Sequence, residues 1–399
     1  MSTSLRLLET HKLDAGMSIE AVTLVTPIST EHQNTVEKVL AQWREWATTP
    51  ALTSEPQVVT YLCSGSGHQV VLVRTAAASD RKSGCDRPQH YVLRFTLQPI
   101  ERAGYELANE AHWMLLAHQQ GLAPTPVFID LLNGALVMDY IPPQAGLISP
   151  ADIGQLLHDI HQLPATGSKI DLKAIYVSYI KLAKLRSDAA TIALDSAVNS
   201  PVARQIEQAP RKSTQSILLS PEDVGLNRCL ALLKAGPQCL CHNDLTSGNI
   251  LNGPSGIMAI DWEYAGIGSP WFDIAAALAD MSVASSHAQP KQEATTQPTY
   301  DLQLFDAGAQ SLLPEERLQA RQQLLKTAGT QDINAPLLAV AEAVYDTLAI
   351  AWQHTQCATE TLPDTTAPPV DNAFEQAHSK ALGLRLRNAA DAAEMNRHE

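Results

Sequence analysis

Two consecutive prolines, in Ile141-Pro142-Pro143, split this chain into stretches of different periodicity. Each proline lacks an N–H and holds φ near about −65°, so the pair ends both a strand ladder and a helix. Upstream, Gln57–Leu62, Gln69–Arg74, His90–Leu97, Val127–Leu131 and Ala135–Tyr140 read as strands rich in β-formers. One helix precedes them and another interrupts them. Glu31–Trp46 carries Val36, Val39, Leu40, Trp43 and Trp46 at helical spacing, and Glu101–Gln120 ends at Gly121 with Pro124 just beyond. Downstream the pattern is mostly helical, beginning with Ala151–Gln162, which Ser149 is placed to cap. The expected organisation is an arm over 1–30, a small β-rich lobe over 31–140 and a larger, mostly helical lobe over 141–399. Ser285–Thr299 and Thr361–Pro369, rich in Pro, Thr, Ser and Gln, read as insertions or loops.

At 399 residues the chain is longer than one typical domain, which agrees with two lobes. A net charge of −14 argues against nucleic acid or an anionic membrane as the main partner, because both need basic patches. No stretch approaches the ~18 apolar residues of a membrane span, and the first residues lack a basic start followed by an apolar run. The six cysteines are sparse. Cys239, Cys241 and His242 crowd three metal-type ligands into one strand-like run, closer together than zinc ligands normally lie. Reduced thiols in a cytoplasmic protein are the expectation.

The chemistry concentrates in His242-Asn243-Asp244-Leu245-Thr246-Ser247-Gly248-Asn249, followed twelve residues later by Asp261. An acid, a carboxamide five residues on and a second acid suit phosphoryl transfer. Asp244 can take or orient the proton of an attacking hydroxyl, while the Asn249 oxygen and Asp261 can hold Mg²⁺ on nucleotide phosphates. Leu240–Asn252 and Gly256–Trp262 read as strands about this loop, with a turn at Asn252-Gly253-Pro254-Ser255, so Asp261 is expected at a strand end. Asp and Asn in loops commonly make Asx turns; the ordered set is what favours chemistry over that alternative.

The string Cys241–Leu251 resembles the H-x-D-x-x-x-x-N signature of aminoglycoside phosphotransferases and choline kinases. Ala259-Ile260-Asp261-Trp262-Glu263-Tyr264-Ala265-Gly266 is similar to the segment of bacterial choline and thiamine kinases, and Gly268–Ala275 to the element that follows it. The resemblance runs from about residue 55 to about residue 355 and lacks D-F-G, A-P-E and H-R-D. It implies a bilobal, protein-kinase-like α+β fold, with an antiparallel sheet and one main helix in the small lobe. It also implies an ATP- and Mg²⁺-dependent kinase of a small hydroxylated metabolite, choline or a related amino alcohol first. Thiamine and aminoglycoside or sugar kinases are the alternatives. An inactive nucleotide-binding protein is the competing class, and the intact Asp244, Asn249 and Asp261 speak against it.

By the same resemblance His242 is a scaffold residue and Asp273 steadies the loop. Arg94, in a V-L-R strand, meets the phosphates, and its planar fork can hold two oxygens. Glu110 pairs with it, although Glu106 lies one turn earlier on the same face. Gly65-Ser66-Gly67 covers the phosphates or is an ordinary hairpin turn. Met138 to Ile141, including Tyr140, form the adenine hinge. A cationic acceptor needs aromatic faces and carboxylates, for which Glu263, Tyr264, Trp271, Tyr345 and Trp352 are candidates. Tyr345 and Trp352, seven residues apart, fit the core face of a helix equally well. His158 and His161 read as packing and capping residues.

Overall fold

The computed structural model describes residues 30–49, 51–64, 68–75, 89–96, 107–144, 148–197, 218–284, 314–329, 335–357 and 372–396. The expected arm, the Gly65-Ser66-Gly67 turn, residues 101–106 (Glu106 among them) and the two expected insertions lie outside them, apart from Thr30. The described residues form two units.

The first unit takes the described residues up to 144 together with 251–263. Its sheet is antiparallel, in the order β1-β2-β3-β5-β4, with β1 at Gln57–Ser64, β2 at His68–Arg74, β3 at His90–Thr96, β4 at Pro126–Asp130 and β5 at Ala135–Asp139. Alternation along these strands gives the sheet two different faces. Val71, Val73, Tyr91, Leu93, Phe95, Val127, Ala135 and Val137 share one face and bury Val36, Val39 and Leu40 of α1 (Thr30–Ala41) together with Trp46. The intervening residues, Arg94 among them, face α2 (Leu107–Gln119), whose Trp113, Met114 and Ala117 are buried. Being covered on both sides explains why β2 and β3 read as nearly continuous apolar runs.

The first helix is shorter than its apolar spacing predicts. It stops at Ala41, and Trp43–Glu45 forms a single 3-10 turn. Trp46 is thereby swung onto the sheet, edge-on to Tyr91 at 5.6 Å and stacked with Phe128 at 6.3 Å. Tertiary packing of the indole outweighs helical continuation. The strands expected around the catalytic loop are also shorter. They resolve into β6 (Cys239–Cys241), β7 (Ile250–Gly253) and β8 (Gly256–Ala259), so Asp261 lies beyond a strand rather than at its end. β7 and β8 pair, and 251–263 joins the first unit through Gln144 N–H to Asn252 O at 2.7 Å and Ala259 N–H to Leu122 O at 2.8 Å.

The second unit is mainly helical: α3 (Pro150–His161), α4 (Leu172–Ala197), α5 (Val224–Ala235), α6 (Pro270–Ala284), α7 (Pro314–Thr327), α8 (Ala335–Cys357) and α9 (Asn372–Met395). Helix α3 starts as its sequence suggests. Ser149 Oγ accepts from Asp152 N–H at 3.2 Å and Asp152 Oδ2 accepts from Ser149 N–H at 2.9 Å, a reciprocal cap with Pro150 in the first turn. Gly154 lets α7 approach closely, since a Cβ there would lie 2.5 Å from Leu324 O. Helix α8 packs against α4, α5, α6 and α9. Strand β6 pairs with β9 (Gly266–Gly268) antiparallel. Among the described residues, no helix is long and apolar enough to cross a membrane.

Asp130 shows how the first unit is locked. Its buried carboxylate accepts from Leu132 N–H (3.1 Å), Asn133 N–H (3.0 Å), Asn133 Nδ2 (2.7 Å) and Gln42 Nε2 (2.8 Å), tying the end of α1 to the β4–β5 turn. Burial alone pushes this carboxyl up, but the four donors outweigh it and hold it below the usual carboxylate range. A depressed folded value means the stabilisation is complete above the unfolded value of about 3.8 and is lost as pH falls through the folded one. Asp130→Asn should therefore cost about 1–3 kcal/mol near neutral pH. Its urea-unfolding stability should fall less steeply than that of the wild type below about pH 4; parallel acid limbs would refute the coupling.

Candidate active site

In the first unit the candidate site residues gather around Arg94. Strand β3 points this guanidinium away from the apolar α1 face, where Leu93 and Phe95 lie. Its Nη2 donates to both carboxylate oxygens of Glu110 on α2, and its Nη1 donates to Asp261 Oδ1. Arg94 and Glu110 are buried, whereas the Asp261 side chain is 29 % exposed. Burial pushes the Glu110 carboxyl up and Arg94 opposes the shift. A planar fork held on two sides cannot rotate freely, so Arg94 is presented in one orientation.

Asp261 is one of two non-glycine residues with positive φ among the described residues, at 64°. Asp tolerates the left-handed region better than most residues. The bend is anchored by the next residue: Trp262 is fully buried and its indole N–H donates to Ala259 O at 3.0 Å. Beyond it, Glu263 is buried with an oxygen 3.7 Å from His68 Nε2 on β2. Ligand atoms of His68, Asp261 and Glu263 lie within 4.8 Å of one another.

In the second unit, β6 leads into the candidate loop from His242 to Asn249. His242 is fully buried, and Asn243 is the other positive-φ residue, at 65°. That left-handed step turns the chain between a buried His242 and a half-buried Asp244. Asn243 is held by its Nδ2–H to Tyr264 O at 3.0 Å. Asp273, in the first turn of α6, has no exposed surface; it accepts from His242 N–H at 2.9 Å and from Asn243 N–H at 2.8 Å. His161 Nε2 sits 3.0 Å from the same carboxylate. Burial pushes Asp273 up, but His161 and the backbone donor outweigh it and hold it below its ordinary value.

Asn249 Nδ2 donates to the Asp244 backbone carbonyl at 2.8 Å and to Asp244 Oδ2 at 2.9 Å. Its side-chain oxygen is therefore the atom left for a hard cation, which prefers oxygen ligands. Asp280, seven residues after Asp273, accepts from Ser247 N–H at 2.6 Å and braces the same loop. Burial pushes the phenol of Tyr345 on α8 up, and the charges of Asp244, Asp280 and Asp346 push it further. Tyr264 and Tyr179 join their hydroxyls at 3.1 Å.

The other expected site residues are placed as follows. Trp271 is buried on α6, and Trp352 is 38 % exposed on α8. Met138 is buried in β5, and Tyr140 just past it donates its N–H to His90 O at 3.2 Å. Sequence reasoning overlooked His68, Tyr179 and Asp280, and gave His161 only a packing role. The spacing of Asp273 and Asp280, two helical turns on one face, was the available signal for the latter; His68 and Tyr179 carry none.

Replacing Asn243 separates backbone from side-chain effects. Asn243→Ala should lose about 1–3 kcal/mol, since alanine at φ 65° is strained and the bond to Tyr264 disappears. Asn243→Gly removes the same bond without the strain and should be milder by thermal denaturation. Equal losses in the two variants would refute a conformational role.

Solved structures share this fold. A choline/ethanolamine kinase family protein from Mesorhizobium loti is 17% identical, covering 89% of this chain and 99% of that one, with a TM-score of 0.50. Choline kinase LicA from Streptococcus pneumoniae is 15% identical over 89% and 99%, with a TM-score of 0.51. At these identities the likeness is one of fold. No curated protein matches the sequence. The phosphotransferase enzyme family matches residues 62–309, well over half of the chain. The protein belongs to that family and is a small-molecule phosphotransferase with a kinase-like α+β fold.

Proposed function

We propose that this phosphotransferase moves the γ-phosphoryl group of MgATP to the hydroxyl of a small cationic amino alcohol, with choline the first candidate. The observation that carries the acceptor class is the setting of Asp244. Asp244 and Asp280 lie within electrostatic reach of the Tyr345 phenol, and Tyr264 and Tyr179 are joined in the same unit. Aromatic faces with carboxylates suit a quaternary or primary ammonium group, which gains from both.

In this reading Asp244 faces the acceptor. One of its oxygens takes the Asn249 amide hydrogen, and the other orients the hydroxyl and receives its proton as the oxygen bonds to phosphorus. The O–P bond to ADP breaks, and ADP leaves with the negative charge. Because the transition state is loose, positioning and charge matter more than early proton removal. Asn249 and Asp261 offer oxygen donors of the kind Mg²⁺ takes, and the ion would neutralise charge on the phosphates. Arg94, oriented by Glu110, would meet the non-transferred phosphates, with the Met138–Ile141 segment beside the adenine.

Four substitutions test the roles. Asp244→Ala should retain MgATP binding and lower turnover on the order of 10²–10⁴-fold; undiminished phosphorylation would overturn the assignment. For Asp261→Ala the expected defect is weaker MgATP binding with an altered Mg²⁺ dependence. Tyr345→Leu and Tyr264→Leu should raise KM for choline by roughly 3- to 30-fold, with a smaller change for an uncharged alcohol. In steady-state assays across choline, ethanolamine, thiamine, an aminoglycoside and a sugar, much faster turnover of thiamine or of a sugar would reject choline. No turnover with any of them, alongside tight MgATP binding, would favour an inactive nucleotide-binding protein.

A further inference from the structure

Strand β6 is Cys239-Leu240-Cys241, and alternation along a strand puts its two cysteines on one face while the fully buried Leu240 takes the other. Opposite them β9 carries only Gly268 and Gly266, paired with Cys239 and Cys241 respectively, so no side chain of β9 competes for that space. The two Sγ atoms are 3.7 Å apart. Two sulfurs bound tetrahedrally to one zinc ion, each at ~2.3 Å, are separated by ~3.8 Å. The sulfur pair therefore already has the bite such an ion needs.

A third ligand arrives from a remote element. His161 closes α3, and its ring nitrogen and both Sγ atoms all lie within 4.8 Å of one another. Its Nε2 is 3.0 Å from Asp273 Oδ2, which orients the imidazole as carboxylates commonly do for metal-bound histidines. The hydrogen bond from Cys241 holds the Cys239 thiol below its ordinary value, with His161 adding to the effect, while burial pushes Cys241 well up. A cation bound by both sulfurs would displace their protons. Cys239 is half-buried, while the His161 side chain keeps 8 % of its surface exposed.

We propose that Cys239, Cys241 and His161 form a binding site for a borderline-soft divalent cation of the zinc type. Sulfur and imidazole donors suit such an ion, while the oxygen donors Asn249 and Asp261 suit Mg²⁺, so donor chemistry keeps the two cations apart. The site stands on its own geometry and does not depend on the acceptor of the phosphoryl group. Its place gives it a consequence. Cys241 immediately precedes His242, and Asp273 touches His161 and the backbone of His242 and Asn243. A bound cation ties the end of α3 to the root of the catalytic loop.

The test uses the full chain, stripped with a chelator under reducing conditions and titrated with Co²⁺ as a spectroscopic probe. A single Co²⁺ per chain should give thiolate-to-cobalt charge-transfer absorption with the intense visible bands of tetrahedral cobalt. Zn²⁺ should abolish these bands, and Mg²⁺ in large excess should leave them. Cys239→Ser and His161→Gln should weaken binding at least roughly tenfold, whereas Asp261→Asn should keep the bands. Zn²⁺ should also raise the Tm of the wild type and slow alkylation of Cys239, mapped by mass spectrometry, which reads the site without any variant. Absent charge-transfer bands, bands unchanged by Cys239→Ser, or alkylation of Cys239 indifferent to Zn²⁺ would overturn the proposal. So would a protein that, under reducing conditions, is two hydrogens lighter with Cys239 and Cys241 joined.

Discussion

The buried carboxylate of Asp273 is the point on which the loop after β6 hangs. It accepts from the backbone N–H groups of His242 and Asn243 and meets His161, so three elements (α3, β6 and α6) converge on one side chain with no exposed surface. A buried charge left unpaired would cost several kcal/mol, so these partners are obligatory rather than decorative. Because two of the donors are backbone groups on consecutive residues, Asp273 sets the path of the chain itself. The left-handed step at Asn243 follows from that path, and Asp244 emerges from it half-buried.

The first unit solves a related problem with a cation. Arg94 sits on the inner face of a five-stranded sheet, where a lone guanidinium would be prohibitively desolvated. Glu110 from α2 and Asp261 from the bend after β8 both reach it. The segment 251–263 follows the catalytic loop in sequence yet belongs to the first unit, through backbone bonds from Gln144 and Ala259. Asp244 and Asp261, seventeen residues apart, thus sit in different units. In both units a residue proposed for chemistry is adjacent to, or is, a non-glycine residue with positive φ. The surrounding hydrogen bonds and the buried Trp262 over-determine those backbone positions.

Much of the fold was legible along the chain because it is encoded locally. Strand alternation, the Ser149 cap and the Pro142-Pro143 break each act over a few residues. The misjudged elements are those where a distant partner decides. Trp46 belongs to the helical pattern of residues 31–46 by spacing, but Tyr91 and Phe128 claim its ring and the helix stops at Ala41. His161 looked like a packing residue because its partners, Asp273 and the two cysteines, come from segments far along the chain. Cys239 and Cys241 looked too crowded for a metal when His242 was the only histidine in view; His242 is fully buried and lies outside the group that His161 forms with the two cysteines.

By itself the sequence determined the class of reaction, and the ordered Asp244, Asn249 and Asp261 are the residues it nominates to carry it. It also pointed to a β-rich and a helical half, since periodicity and proline are local properties, but not to the membership of 251–263 in the first unit. Only the tertiary structure decided that Asp280 braces the loop that carries Asp244 and that an imidazole from α3 comes within reach of a sulfur pair on β6. Those pairings join residues tens of positions apart. They depend on where buried apolar faces bring the backbone, and no short-range pattern records that.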